Sequence, residues 1–386
     1  MQELSLSDHL AKLVAFPTVS SASNLALLDW MEEFCFLHGG RSVRFFDESG
    51  TKANLLVSIG PEEPGGIVLS GHTDVVPCDG QAWLADPFRL RDEGDRFIGR
   101  GATDMKGFLA CCLASLPHLD IAKLRRPLHL AFSYDEEVGC TGVGSMSNWI
   151  GESTLKPAIA IIGEPSSMRV VNAHKSGLLV RVNVKGKPGH SSDPDRYVNA
   201  VINAARLVAR IDELRSDLKG GPLFDRLAPP FATTQVNTIR GGTQLNIVAE
   251  HCQFMWEIRA LPGQNDLELL ERIRNYSVET IEPAMKAVDP TCGIAFDIIA
   301  HVPALQPNVD CDAEREILAV LGQEHPDAVS YGSEAGIFQE GGTAAIICGP
   351  GSILQAHQPE EYIEKSELAR CIDFILQLGR TLSPSR

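Results

Sequence analysis

Three features of the chain predict an α/β protein carrying an inserted α+β domain. Short apolar runs alternate with helical patterns over the first 165 residues, a block from Leu178 follows the order β-α-β-β-α-β, and the α/β pattern resumes near residue 311. Alternating strands and helices build a mostly parallel sheet between helices, and the β-α-β-β-α-β order is the split βαβ, ferredoxin-like arrangement. At 386 residues the chain exceeds the usual size of a single core, so two domains are expected. The larger is assigned residues 1–177 and 288–386, and the insert residues 178–287.

The elements follow in order. Residues 7–15 and 22–38 read as amphipathic helices, 54–59 and 66–70 as strands. A Gly- and Asp-rich stretch, 92–104, leads into a helix from about Lys106 to Leu116, and strands follow at 127–134 and 157–163. In the insert, a strand at 178–184 precedes a helix near 196–214. Strands at 235–240 and 246–259, a helix near 265–285 and a strand near 293–299 complete the block. A helix near 311–322, a strand at 343–348 and a helix near 365–380 close the chain.

Composition narrows the function classes. The formal charge of −16 argues against a nucleic-acid or anionic-membrane partner. Ten scattered cysteines without a CxxC pair suit reduced thiols in the cytoplasm. Met1-Gln2-Glu3-Leu4-Ser5 has no basic and apolar signal pattern, and no apolar run approaches the ~20 residues needed to span a bilayer.

The chemistry-bearing residues recur at the ends of apolar runs: His72, Asp104, Glu136, Glu137, Glu164 and His357. In a parallel sheet such positions gather along one edge, where α/β proteins bind ligands. Four carboxylates and two imidazoles meeting there repel unless a positive charge sits between them, and divalent metal is the simplest answer. In Ser70-Gly71-His72-Thr73-Asp74, two residues apart on extended chain, His72 and Asp74 point to the same side. Asp74 can then accept from one ring nitrogen while the other binds metal. Asp104, in Gly99-Arg100-Gly101-Ala102-Thr103-Asp104, stands before a helix, where it can cap the helix or lie between two metals. Of the adjacent Glu136 and Glu137, one can bind metal while the other faces the attacking water as general base. Cys78 is a weaker candidate ligand.

In this order, the motifs around His72, Asp104, Glu136-Glu137, Gly163-Glu164-Pro165 and Ala356-His357-Gln358-Pro359-Glu360 resemble the dinuclear zinc aminoacylase and carboxypeptidase family of metallopeptidases. The resemblance spans nearly the whole chain and implies two divalent ions, zinc or else cobalt. It implies that His72, Asp104 and Glu164 hold one ion and Asp104, Glu137 and His357 the other, with Glu136 as base and Asp74 orienting His72. By the same resemblance His190, in Gly189-His190-Ser191, donates to the developing oxyanion, often in a neighbouring subunit's site, so a homodimer is expected. Arg259 and Asn246 become candidate contacts for a substrate carboxylate.

The segments Tyr331-Gly332-Ser333-Glu334-Ala335-Gly336, Cys348-Gly349-Pro350-Gly351 and Glu257-Ile258-Arg259-Ala260 narrow the resemblance to the members that deacylate amino acids. Many relatives have Asp and Thr where this chain has Glu257 and Ser333. The implied substrate is a small N-acyl amino acid, N2-acetyl-L-ornithine, hydrolysed to L-ornithine and acetate in arginine synthesis. Glu334 is the residue expected to meet the cationic side chain. A succinyl-diaminopimelate or other N-acyl amino acid hydrolase, a peptidase acting on dipeptides, and a non-catalytic binding protein on the same fold are the alternatives.

Overall fold

The computed structural model describes residues 4–383, so Met1, Gln2 and Glu3 of the N-terminal segment lie outside the described residues. The chain divides into two compact units. The first takes Met1–Ala173, Leu305–Ala328 and Ser333–Arg386, and the second His174–Ala304 with Val329–Gly332.

The first unit begins with α1 (Leu6–Val14) and α2 (Leu25–Leu37), then β1 (Arg41–Phe46), β2 (Ala53–Ile59) and β3 (Ile67–His72). A small hairpin, β4 (Arg91–Glu93) and β5 (Arg96–Ile98), precedes α3 (Lys106–Ser115). Then come β6 (Leu128–Ser133), α4 (Gly144–Glu152), β7 (Ile159–Pro165) and β8 (Val171–His174). The second unit contains β9 (Gly177–Lys185), α5 (Ala200–Lys219), β10 (Thr233–Gly241), β11 (His251–Arg259), α6 (Asp266–Tyr276), α7 (Glu282–Val288) and β12 (Gly293–Val302). The chain ends with α8 (Asp312–Leu321), β13 (Asp327–Val329), α9 (Ala335–Glu340), β14 (Ala345–Gly349), β15 (Tyr362–Glu364) and α10 (Lys365–Thr381).

The large sheet has the order β1-β2-β6-β3-β7-β14-β8-β13. Its centre, β6-β3-β7-β14, is parallel, and antiparallel pairs β1/β2, β2/β6 and β14/β8 flank it. The central strands are buried on both faces, which is why they read as unbroken apolar runs. On one face Leu69, Leu130 and Ile161 join a core with Leu13, Leu28, Phe108 and Phe374 from α1, α2, α3 and α10. All ten residues of α3 are buried, so Lys106–Ser115 carries no polar stripe. On the other face α9 packs on β7 and β14 and against α4.

The second unit is an antiparallel sheet in the order β10-β11-β9-β12, the ferredoxin-like topology expected. Leu178, Val180, Val182 and Val184 alternate inward on β9, as do Cys252, Phe254, Trp256 and Ile258 on β11.

Three expectations change. The insert does not end at residue 287: β12 is hydrogen-bonded along β9, from Gly293 opposite Lys185 to Val302 opposite Gly177, so the unit runs from His174 to Ala304. The single helix expected at 265–285 is two, separated by a π turn over Ser277–Ile281. Pro283 stands in the first turn of α7, where its missing N–H costs least. The strand expected from 246 starts at His251, because Gly242 turns the chain with φ +76° and residues 242–247 are exposed.

Candidate active site

The parallel run of β6, β3 and β7 brings the predicted ligands to one edge. His72 ends β3, Glu164 is the penultimate residue of β7, and Glu136 and Glu137 follow β6. Gly163 lets this edge form, since a Cβ there would lie 2.1 Å from the Phe108 ring beneath it. Asp104 precedes α3, and its side chain does not cap that helix. One oxygen, Oδ1, lies 3.0 Å from His72 Nε2, and the other, Oδ2, lies 3.2 Å from His357 Nε2. His357 Nε2 is also 3.0 Å from Glu137 Oε2, and His72 Nε2 is 3.8 Å from Glu164 Oε1. A carboxylate with one oxygen toward each imidazole is the arrangement that a shared ligand requires. The donor atoms of His72, Asp104 and Glu137 lie within 4.8 Å of one another, as do those of His72, Glu136 and Glu164.

Asp74 acts differently from the expectation. His72 Nδ1 lies 2.9 Å from the Asp74 main-chain carbonyl and 3.6 Å from its carboxylate. A carbonyl only accepts, so Nδ1 carries the proton and Nε2 is left for metal. The Asp74 carboxylate instead accepts from the Glu136 N–H at 3.2 Å, the Glu137 N–H at 3.3 Å and the Ser20 hydroxyl at 2.6 Å. It holds the acidic turn in place, and its backbone holds the imidazole.

Glu361 is a positioning residue that sequence reasoning missed. Its carboxylate accepts from the N–H groups of Gly101, Thr103 and Asp104 at 3.0, 2.9 and 3.1 Å, and from Arg100 at 2.7 Å. Both side chains of the Arg100–Glu361 pair are 1% exposed. The glycine-rich loop is thereby wrapped round one carboxylate, which aims Asp104. The signal was present in Pro359-Glu360-Glu361-Tyr362, but its partners lie more than 250 positions away. Cys78 is not among the candidate metal groups and accepts from Arg100 Nε at 3.3 Å.

The electrostatics ask for positive charge. Burial, with Asp104 and Glu136 nearby, pushes Glu164 well above the usual carboxylate range, and burial beside Glu137, Asp104 and Glu334 takes Glu136 to about 8. Burial works against a charged His72, yet Asp104, Glu136 and Glu164 raise it well above its ordinary value. Hydrogen bonds to Asp104 and Glu137 take His357 up to about 10. Glu164 Oε1 is buried with no hydrogen-bond partner. An orphaned buried oxygen beside crowded carboxylates and a Nε2 lone pair fits a divalent ion, and imidazole with carboxylate suits zinc or a neighbouring first-row metal.

Glu334 joins this region at the start of α9. It is 1% exposed, and burial raises it to about 7 against the opposing pull of the Ser133 hydroxyl and His72. Asp74 and Glu136 are among the groups whose charges it feels or perturbs.

His190, Asn246 and Arg259 belong to the second unit. His190 bridges to Ile247, and the Ser191 N–H donates to the Asn246 carbonyl at 3.1 Å, so these two exposed residues adjoin. His190 Nδ1 accepts from the Ser192 N–H at 3.2 Å, which places the proton of the neutral ring on Nε2. Arg259 stands at the far end of β11, opposite Thr233, with Nε paired to Glu257.

Residues 68–381 match the model of peptidase family M20/M25/M40. The chain belongs to this family. It is 33% identical to an acetylornithine deacetylase of Photorhabdus laumondii and 34% identical to one of Myxococcus xanthus, each over 95% of this chain and 94% of the relative. Among solved structures, an M20 family metallo-carboxypeptidase of Sulfolobus solfataricus matches with a TM-score of 0.75 and 18% identity over 99% of each chain. The YXEP protein of Bacillus subtilis, described as a dinuclear metal-binding peptidase, matches with a TM-score of 0.66 and 14% identity over 98% of this chain and 97% of that one. The M20 chain described here is a metal-dependent amidohydrolase with a site built for two divalent ions. When bound, such ions polarise a carbonyl and make water acidic at neutral pH. Among the described residues no helix is long and apolar enough to cross a membrane.

Proposed function

We propose that this enzyme removes the acetyl group of N2-acetyl-L-ornithine, releasing L-ornithine and acetate for arginine synthesis in the cytoplasm, with zinc as the resident ion and cobalt as a working substitute. The observation that carries this reading is the similarity to acetylornithine deacetylases over 95% of the chain. Glu334 supports it: a carboxylate out of water is costly, and a cationic substrate side chain relieves that cost. The same carboxylate disfavours a succinyl arm, whose own charge would meet it.

In this proposal His72, Asp104 and Glu164 hold one ion and Asp104, Glu137 and His357 the other. Glu136 takes the proton of the attacking water and passes it to the leaving amine. His190 donates from Nε2 to the oxygen on which charge develops, and Asn246 and Arg259 receive the substrate carboxylate. His251 and Arg259 are the two ends of β11, separated by roughly 26 Å at the rise of a strand. A small amino acid does not span that length, so the His190–Asn246 end and the Arg259 end serve different copies of the site. This supports reading the enzyme as a homodimer with shared sites.

Comparing kcat/KM for N2-acetyl-L-ornithine, N-acetyl-L-methionine and N-succinyl-diaminopimelate tests the substrate. Acetylornithine is expected to lead. Glu334→Gln should lower its kcat/KM by about 10–150-fold, the range of a charged hydrogen bond, and leave acetylmethionine nearly unchanged. Preference for the succinyl substrate overturns the reading, and equal losses on both acetyl substrates remove Glu334 from it.

A further inference from the structure

The turn that carries Glu136 is pinned along its backbone, yet its carboxylate has a single hydrogen-bonding partner among the described residues. That partner is Cys140, whose Sγ lies 3.3 Å from Glu136 Oε1. Cys140 is 5% exposed and closes the turn by donating its N–H to the Glu136 carbonyl at 2.8 Å. Asp135, Gly139 and Cys140 all have positive φ, at 58°, 104° and 55°. For a residue with a side chain this region is sparsely populated and persists only where the surroundings over-determine it. The turn therefore delivers a thiol to the carboxylate at a backbone position that glycine would occupy with less strain.

We propose that Cys140 is a positioning residue for the general base, its S–H donated to Oε1 of Glu136 so that Oε2 is left to take the proton of the attacking water. The inference rests on the assignment of Glu136 as base. Burial and the carboxylates of Glu136 and Glu334 hold the thiol well above its ordinary range, so it keeps its proton and remains a donor. A thiol is a weak donor. It fixes the direction of the carboxylate while weakening the base less than a hydroxyl or amide would. Cys140 is not among the candidate metal groups, whereas Glu136 is grouped with His72 and Glu164, so metal content is measured beside kcat, and an unchanged content assigns the effect of losing the thiol to the proton-transfer step.

The test uses the metal-loaded enzyme with Cys140→Ala and Cys140→Ser, each made also in the Glu136→Gln background. Alanine avoids a branched side chain at this φ. Cys140→Ala is expected to lower kcat about 5–30-fold, toward the low end of the range for a hydrogen bond to a charged group because a thiol is a weak donor, with KM and bound metal unchanged. Cys140→Ser, which restores a donor, should recover most of that loss. In the Glu136→Gln background Cys140→Ala should cost less than about twofold, because the partner it positions is gone. A kcat within twofold of wild type for Cys140→Ala, while Glu136→Gln is inactive, overturns the inference alone. So does an equal loss in both backgrounds, which would mark a packing effect. If Glu136→Gln itself stays active, the base assignment fails and this inference with it.

Discussion

In the first unit His72, Asp104 and the turn that carries Glu136 and Glu137 each have a buried partner that sets their place. The Asp74 carbonyl orients His72, the Asp74 carboxylate holds the N–H groups of Glu136 and Glu137, and Glu361 gathers the loop that presents Asp104. In the second unit His190 and Asn246 are exposed, and their support is a two-residue bridge and a serine. On the proposed roles, the contrast separates two tasks. Holding ions and moving a proton demands fixed geometry, which buried hydrogen bonds to backbone supply. Contacting a substrate that enters and leaves tolerates residues on exposed loops.

The sharpest way to break this contrast is at the base. Glu136→Gln should retain both ions and lose on the order of 10²–10⁴ in kcat, the usual share of general base catalysis, measured by steady-state kinetics beside elemental analysis. If Glu137→Gln gave that phenotype and Glu136→Gln lost an ion, the two roles would be reversed.

The next effect tests whether buried support matters in the first unit. Glu361→Ala leaves Arg100 buried and unpaired and frees the loop of Asp104. Breaking a buried pair costs about 3–5 kcal/mol, so chemical denaturation should report a loss of that size. Metal titration should show weakened binding, because the shared ligand is no longer aimed. Unchanged metal affinity would mean that Asp104 is held by other contacts.

The smallest effect belongs to the exposed loops of the second unit. Mixing inactive His190→Ala with inactive Glu136→Gln protein, with subunit exchange, should restore activity to about a quarter of wild type, since half the dimers are hybrids with one intact site each. Failure to recover activity in a mixture that does exchange subunits would place His190 in its own subunit's site.

Much of this was legible in the sequence where local pattern and chemistry coincide. The central strands are buried on both faces, so Ile67–His72, Leu128–Ser133 and Ile159–Pro165 stand out as apolar runs with a polar residue at or just past their ends. The elements that escaped lack that signal. Arg41–Phe46 is an edge strand, largely exposed and interrupted by arginines, and Gly144–Glu152 opens on glycine and carries few large apolar residues. Roles that depend on which atom meets which were not readable. Nothing in the spacing of His72 and Asp74 tells a carbonyl from a carboxylate as the partner of Nδ1, and nothing near Glu361 announces Gly101 as its donor.

The place of β14 in the large sheet has a consequence for synthesis. Ala345–Gly349 lies between β7 and β8, two strands made some 180 residues earlier in the chain. Until it emerges from the ribosome, Ile159–Pro165 and Val171–His174 have no neighbour on their facing edges. Open edges on apolar strands invite pairing with other chains, and pairing across long sequence separation is slow. The intervening His174–Ala304 is a continuous stretch with its own sheet and core, able to fold while the gap waits. His357 follows β14, so the last of the proposed metal ligands is translated only after the strand that closes the sheet. A nascent chain stalled before residue 345 therefore carries an incomplete site and a sticky seam, and its release from the ribosome is the point at which chaperone protection counts most.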